Sequence, residues 1–488
     1  MTPTGTPLAA RAPRARLHAA ALAGAWLLAA CASPGPAHEP LAATTAQAVG
    51  LASAPPQQAL APAQWWRQLG DPTLDALIAQ ALQGSPSLAV ARARLAQAVA
   101  LSQVREAANG PQATLGADLA RQHYTAQGLI PAPVAGHVYS TGNLQATLAW
   151  APDFFGQHAA ELEAALGQAR AAQADAAAAA NLLAAQVARG YVGLARLQAQ
   201  RAVAERAHAQ RQEQWALTRE RVQAGLDSQV ELAQAQAAVP DARAQTEALD
   251  EQITLARRQL ATLSGQAPSA LAALDPALAR LQALPVPPQL GADLLGRRPD
   301  VVAARWRIEA ATQGVAAARG EFYPNINLVA FVGLNALGLD RLFQAGSRQF
   351  GVAPALRLPL FDGGRLRAQL GSRQAELDAA IAQYNGAVLD AAREAGDAIA
   401  SLQSLTRQQA QQDQAAAGAE QAWRLAQERY RAGLGSYLGV LASESQVLAQ
   451  RRQAVDLQAR RLDTHVALMK ALGGGWQDDT AALAAAPQ

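Results

Sequence analysis

The chain alternates between two hydrophobic periods. Over 112–124, QATLGADLARQHY sets Ala113, Leu115, Ala117 and Leu119 against Thr114, Gly116 and Asp118. NLQATLAW (143–150) alternates in the same way. A period of two belongs to a strand with one apolar and one polar face. INLVAFVGL (326–334) and FGVAPALRLPLF (350–361) repeat the pattern, the latter carrying Pro354 and Pro359, which suit an edge strand. These four runs predict two hairpins with longer loops near 125–137 and 335–349.

The rest reads as helix. Residues 71–108 open with Asp71-Pro72, a helix start, and are split at Gly84-Ser85-Pro86. No proline occurs between about Gly156 and Gln223, or between about Arg365 and Ala432. Each stretch predicts a helix of roughly 65 residues, on the order of 100 Å long at 1.5 Å per residue. In the second, Leu377, Ile381, Tyr384, Val388, Ala391, Ala395, Ala398 and Leu402 recur at alternating spacings of four and three. That is the seam of a left-handed coiled coil. Helices so long must pack against neighbours along their length.

Both long stretches end in a glycine break, RVQAGLDSQVELAQ (221–234) and RYRAGLGSYLGVLAS (429–443). A shift of about 208 residues lays Arg221 on Arg429, Gly225 on Gly433, Ser228 on Ser436, Leu260 on Leu468 and Gly265 on Gly473. APDFFG (151–156) answers LPLFDGG (358–364), and GPQATLGADLA (110–120) answers YPNINLVAFVG (323–333). The landmarks keep one order twice, so the chain is a duplicated unit. The expected organisation is a leader over 1–30, an N-terminal segment over 31–70 and a first repeat over 71–265 (β-hairpin 111–151, helical hairpin 156–265). A Pro-rich connector (266–297), a second repeat over 298–472 (β-hairpin 323–361, helical hairpin 364–472) and a tail over 473–488 follow. Within this scheme Arg297-Arg298-Pro299-Asp300 reads as a helix N-terminus.

Composition narrows the class. Half of the 488 residues are hydrophobic but only 5% are aromatic, so closely packed small side chains replace a thick core. The single cysteine, Cys31, excludes an intramolecular disulfide. It follows Arg11, Arg14, Arg16, His18 and a short apolar run, the form of a signal peptide. Leu28-Ala29-Ala30-Cys31 resembles a bacterial lipobox, which implies acylation of Cys31 and anchoring without a spanning helix. No aspartate follows the cysteine, which by resemblance to bacterial sorting rules points to the outer membrane. The net charge of +3 is matched by the three leader arginines, leaving no basic footprint for nucleic acid. Phosphate-loop, zinc-site and nucleophile-elbow motifs are missing, so no enzyme activity, cofactor or metal is expected.

Four strands cannot close a membrane barrel, which needs about eight or more; three chains would supply twelve. The expected fold class is mainly α with a membrane β-barrel portion. Long coiled-coil helices would form a periplasmic tunnel, and four strands per chain would enter a trimeric 12-stranded barrel. The function that fits is a conduit.

Several stretches carry a family resemblance: Leu28–Cys31, WWRQLGDPTLDALIAQAL (65–82), GRRPDVVAARWRIEAATQGVAAARGEFYPNINL (296–328), LPLFDGGRLRAQL (358–370), ERYRAGLGSYLGVLASESQ (428–446) and ALGGGW (471–476). The chain resembles the TolC-like outer membrane efflux proteins, in their NodT-type lipoprotein branch. The resemblance implies a homotrimer in outer membrane lipid, serving as the exit duct of a tripartite pump. The duct would passively conduct small molecules such as drugs. Its partners would be a periplasmic membrane-fusion adaptor and, through it, an inner-membrane transporter of RND or ABC type. The connector and the termini would form an equatorial belt.

In the family the helix tips close the duct. The implied gate residues here are Tyr430, Arg431 and Leu438, with Arg219, Arg221, Asp227 and Glu231 from the first repeat. Gly225, Gly433 and Gly435 would make the turns. The chain departs from the family at Ala442, where an acid is common; Glu231 and Glu444 are candidates to compensate. A second reading keeps the fold but makes it the duct of a type I protein secretion system. A pore-less coiled-coil lipoprotein is a third, against which the two alternating hairpins argue.

Overall fold

The computed structural model describes residues 38–51, 62–283 and 294–476. The leader, Cys31, residues 284–293 of the connector and 477–488 of the tail lie outside the described residues. In chain order the elements are α1 (Pro72–Gly84), α2 (Pro86–Ala108), β1 (Gln112–His123), β2 (Val138–Trp150), α3 (Gln157–Gln223) and α4 (Gln229–Leu263). After the connector come α5 (Leu294–Arg297), α6 (Pro299–Gly320), β3 (Asn325–Leu337), β4 (Arg348–Arg357), α7 (Arg365–Arg431) and α8 (Tyr437–Ala471). The long helices α3 and α7 have 67 residues each, and the return helices α4 and α8 have 35 each. Short 3-10 turns join the set, among them Trp65–Leu69.

The chain divides into two compact units. One contains the strands with residues 97–108 of α2, 157–169 of α3, 306–320 of α6 and 365–382 of α7. Its sheet is antiparallel in the order β1-β2-β3-β4. Gln112 pairs with Ala149, Trp150 with Leu328 and Asn325 with Arg357. The alternation read in the sequence becomes two faces. Leu115 and Leu119 are 74% and 71% exposed on one of them, with Val332, Phe350 and Val352. The other face carries Thr114, Asp118, Asn143, Gln145, Thr147 and Gln349. Gln349 donates there to Asn143 and Gln145 at 2.9 and 3.0 Å.

Three strand limits differ from expectation. β2 begins at Val138 rather than 143, because β1 pairs with it as far as His123. β3 runs on to Leu337, paired with Thr141. β4 stops at Arg357, so Pro359 lies outside it, while Pro354 is accommodated within a strand at the sheet edge. Below the sheet, Val315, Ala318 and Phe322 of α6 pack on Leu366, Leu370, Leu377 and Ile381 of α7. Phe155 and Tyr323, which precede and follow helices, stack at 5.1 Å.

The other unit holds residues 43–96, 170–305 and 383 onward. Its core is built from Trp65, Leu69, Leu74, Ile78, Tyr191 and Leu194, closed by Leu260 of α4 and Leu468 of α8. Tyr191 donates to Asp71 at 2.7 Å, and the same carboxylate caps α1 by accepting from Thr73 N at 2.9 Å. The heptad stripe of α7 is buried within this unit at Val388, Ala391, Ala395, Ala398 and Leu402, with Tyr384 half-buried. Alanine at three of these positions keeps neighbouring backbones close.

Helices α3, α4, α7 and α8 all end the same way. A glycine takes a left-handed φ of +75°, +71°, +74° and +89° at Gly225, Gly265, Gly433 and Gly473. Its N–H and the next one turn back onto the last helical turn, as with Gly225 N to Val222 O and Leu226 N to Arg221 O. Two of the four ends are also crowded. A Cβ at Gly265 would strike the carbonyl oxygen of Gly84, and one at Gly473 would strike that of Arg297. Beside the second contact, Arg298 is 3% exposed; it binds Asp300 at 2.6 Å and Glu394 at 3.0 Å, and donates to Ala471 O at 3.3 Å. Lys470 joins Glu394 at 3.2 Å.

Gly225 has a similar φ to the crowded glycines but nothing within 4 Å of an added Cβ. Gly225→Ala should therefore cost only the left-handed penalty, about 1–2 kcal/mol. Gly473→Ala should lower the melting temperature, followed by circular dichroism, at least twice as far. Equal losses would show that the close approach at Gly473 contributes nothing.

Candidate functional site

The tips of the two helical hairpins lie side by side within one unit. Each turn has the same construction. After the left-handed glycine, Ser228 or Ser436 caps the return helix, accepting from Val230 N at 3.2 Å or Gly439 N at 3.4 Å. Glu231 completes a capping box, accepting from Ser228 N at 2.9 Å. Gly435 lies in the turn with Gly433 but takes no positive φ. Its role is space, since a Cβ there would lie 3.3 Å from Arg429 Cβ.

Tyr430, Arg221 and Asp227 are brought together. Tyr430 is 1% exposed and points into the chain. Its hydroxyl donates to Asp227 Oδ2 at 2.5 Å and lies 3.3 Å from Thr218 Oγ1. Arg221 forks onto the same carboxylate at 2.9 and 3.2 Å, and its guanidinium sits 4.5 Å from the Tyr430 ring centroid. Asp227 belongs to the first turn and Tyr430 to the last helical turn before the second, so the cluster fastens one hairpin to the other. The bond from Arg221, reinforced by Tyr430, holds the Asp227 carboxyl below the usual aspartate range despite burial. Burial, then the bond to Asp227, pushes the Tyr430 phenol up.

The other proposed gate residues are not gathered there. Arg219, Arg431 and Leu438 are exposed, and Leu438 is 63% so. Ala442 is exposed as well. Of the two acids considered as substitutes for it, Glu231 is spent on the helix cap and Glu444 is buried. Glu444 lies 3.8 Å from Arg211 Nε of α3, and Arg211 also meets Asp241 of α4 at 3.1 Å. Burial raises the Glu444 pKa, with Arg211 opposing the rise. Tyr437, packed beside Tyr430 at 6.0 Å, is pushed up to about 12 by burial and then by Glu444.

Sequence reasoning missed Thr218 and the Arg211–Glu444–Tyr437 group. Thr218 and Arg221 are three apart, one helical face, and that spacing was the available signal. Nothing in the local sequence distinguishes Arg211 from the solvated arginines around it. Among the described residues no group of three His, Cys, Asp or Glu side chains could hold a metal ion. Among them, too, no helix is long and apolar enough to cross a membrane.

The chain matches the family model described as outer membrane efflux protein at 77–266 and again at 290–474, one match per repeat. It is 32% identical over 422 residues to the putative multidrug resistance outer membrane protein MdtQ of Escherichia coli (strain K12), covering 85% of this chain and 88% of that one. It is 34% identical over 426 residues to the multidrug resistance outer membrane protein MdtP of Shigella flexneri, covering 85% and 87%. Among solved structures it is similar to the outer membrane protein VceC of Vibrio cholerae, with a TM-score of 0.81 and 36% identity over 85% of this chain and 99% of that one. The open state of the Neisseria gonorrhoeae MtrE outer membrane channel matches with a TM-score of 0.78 and 26% identity over 91% and 99%.

Tyr430→Phe removes a hydrogen bond to a charged group and should cost about 1.5–3 kcal/mol locally. Trypsin should then cleave faster at the exposed Arg431; an unchanged rate would mean the hydroxyl does not hold the tips. Glu444 carries the opposite sign to Asp227. Its raised pKa means that its stabilising effect is complete below the ordinary glutamate range and is lost as pH rises through the folded value. Glu444→Gln should therefore melt higher than the parent at about pH 7–8 and equal it near about pH 4. A parent more stable than the variant at neutral pH would refute this.

Proposed function

The chain belongs to the outer membrane efflux protein family, and from that premise we propose that it is the exit duct of a tripartite efflux pump, passively carrying small molecules out of the cell. The observation that carries this reading is the four-stranded sheet. One face is apolar and exposed, the other bears hydrogen-bonding side chains, and α3 and α7 follow β2 and β4 in the chain. Four strands leave two open edges, β1 and β4. Joining β4 of one chain to β1 of the next in a homotrimer closes twelve strands, with the apolar faces toward lipid and the polar faces toward water. The multidrug resistance names of MdtQ and MdtP support small-molecule efflux over protein secretion.

The helical hairpins would form the periplasmic part of the duct and meet a membrane-fusion adaptor, through which an RND- or ABC-type transporter drives export. Acylation of Cys31 would add an anchor in the outer membrane. The tips form the gate in this reading, with two tasks divided between residues. Tyr430, Asp227 and Arg221 fasten the two hairpins of one chain. Leu438, Arg431 and Arg219 are left exposed for contacts between chains or with the adaptor.

Planar bilayer recordings test the gate. The purified trimer should conduct weakly at rest, and Tyr430→Ala with Leu438→Ala should raise the resting conductance. An unchanged closed channel would remove the gate from these residues while leaving the duct in place.

A further inference from the structure

The exposed apolar face of the sheet is not uniform. Between Leu148, Val332, Phe350 and Val352 the small residues Ala146 and Ala330 leave a groove of about 540 Å³. The strand register puts most of its lining on one face, Thr147, Phe331 and Gly351 excepted. Ala146 pairs with Val332, Leu148 with Ala330, Val332 with Phe350 and Ala330 with Val352. Such a dip in a surface that faces hydrocarbon has the shape and chemistry of a seat for an acyl chain.

The same face ends in charge. Arg348 pairs with Leu334 and precedes Phe350 by two residues, so it stands on the groove face, roughly 7 Å further along β4. On β1, Arg121 follows Leu115, Ala117 and Leu119 on the same face. Both arginines are exposed, and neither has a carboxylate partner among the described residues. Both lie toward the loops at 124–137 and 338–347, at the end of the sheet away from the helices. In a membrane barrel that end enters the outer leaflet. The acid on β1, Asp118, is on the opposite face. An arginine at the boundary between apolar side chains and water, with its fork unoccupied, is the side chain best shaped for a phosphate.

We propose that this face binds a diphosphorylated lipid of the outer leaflet, with an acyl chain in the Ala146–Ala330 groove, one phosphate on Arg348 and the other on Arg121, which the register sets roughly 20 Å away across the sheet. The proposal rests on the barrel reading above and adds a lipid site to it. Phosphate selects the lipid, and the groove fixes how deeply it sits.

The test uses the full chain reconstituted in phosphatidylcholine vesicles containing diphosphorylated lipid A, released in mild detergent and weighed by native mass spectrometry. The parent should retain lipid A, and Arg121→Gln with Arg348→Gln should lose about tenfold or more of it. Ala330→Leu, which fills the groove and leaves both arginines, should also release it. An unchanged heat-modifiable trimer band would show that the variants fold. Equal retention by parent and double variant, or equal retention of phosphatidylcholine, would overturn the lipid site alone. Failure of the parent to insert in the vesicles would overturn both the barrel reading and the site.

Discussion

The end of each return helix presses on the backbone just before a proline-led helix start, and only glycine leaves room there. Gly265 meets the carbonyl of Gly84, one residue before Ser85-Pro86; Gly473 meets that of Arg297, one residue before Arg298-Pro299. These contacts fix where α4 and α8 stop. Both helices have 35 residues, about 52 Å at 1.5 Å per residue, so both tips lie the same distance from their anchors. The meeting of Tyr430 with Asp227 accords with that equality. One extra residue in α8 would turn its first residues by about 100° and move them by about 1.5 Å relative to the anchor.

The regular parts were legible because their signals are local. Alternation marked the strands, proline-free stretches marked α3 and α7, and repeated glycines marked the turns. Strand ends were less legible. The alternation at Leu356, Leu358 and Leu360 continues past the point where β4 has a partner, because pairing, not pattern, decides where a strand ends. The tip was legible in membership but not in geometry. Tyr430, Arg221 and Asp227 could be named from the sequence, yet their mutual contact crosses about 200 positions, beyond the reach of any local pattern. The burial of Glu444 was hidden for a similar reason, since its partner Arg211 sits on a helix from the other repeat.

The two copies have kept their backbone and diverged in side chains. Ser85 and Arg298 occupy matching places before their prolines and are 6% and 3% exposed. Ser85 meets Ser87 through a single hydroxyl contact at 2.9 Å, whereas Arg298 ties together Asp300, Glu394 and the last carbonyl of α8. A buried arginine needs every one of those partners, because a lone charge there would cost several kcal/mol, roughly the stability of a small domain. The neutral version in the first copy shows that the backbone contact itself does not require charge.

Divergence at the turns has a consequence for symmetry. The first turn carries the acceptor, Asp227, where the second has Gly435; the second hairpin supplies the phenol of Tyr430. Two identical half-units would carry the same side chains at both turns and could not divide the acid and the phenol between them. A ring of six equal halves would have six equal seams. In the proposed trimer the Tyr430–Asp227 bond appears at three seams and is missing from the three between chains. Alternate seams of such a ring would therefore differ by this one bond.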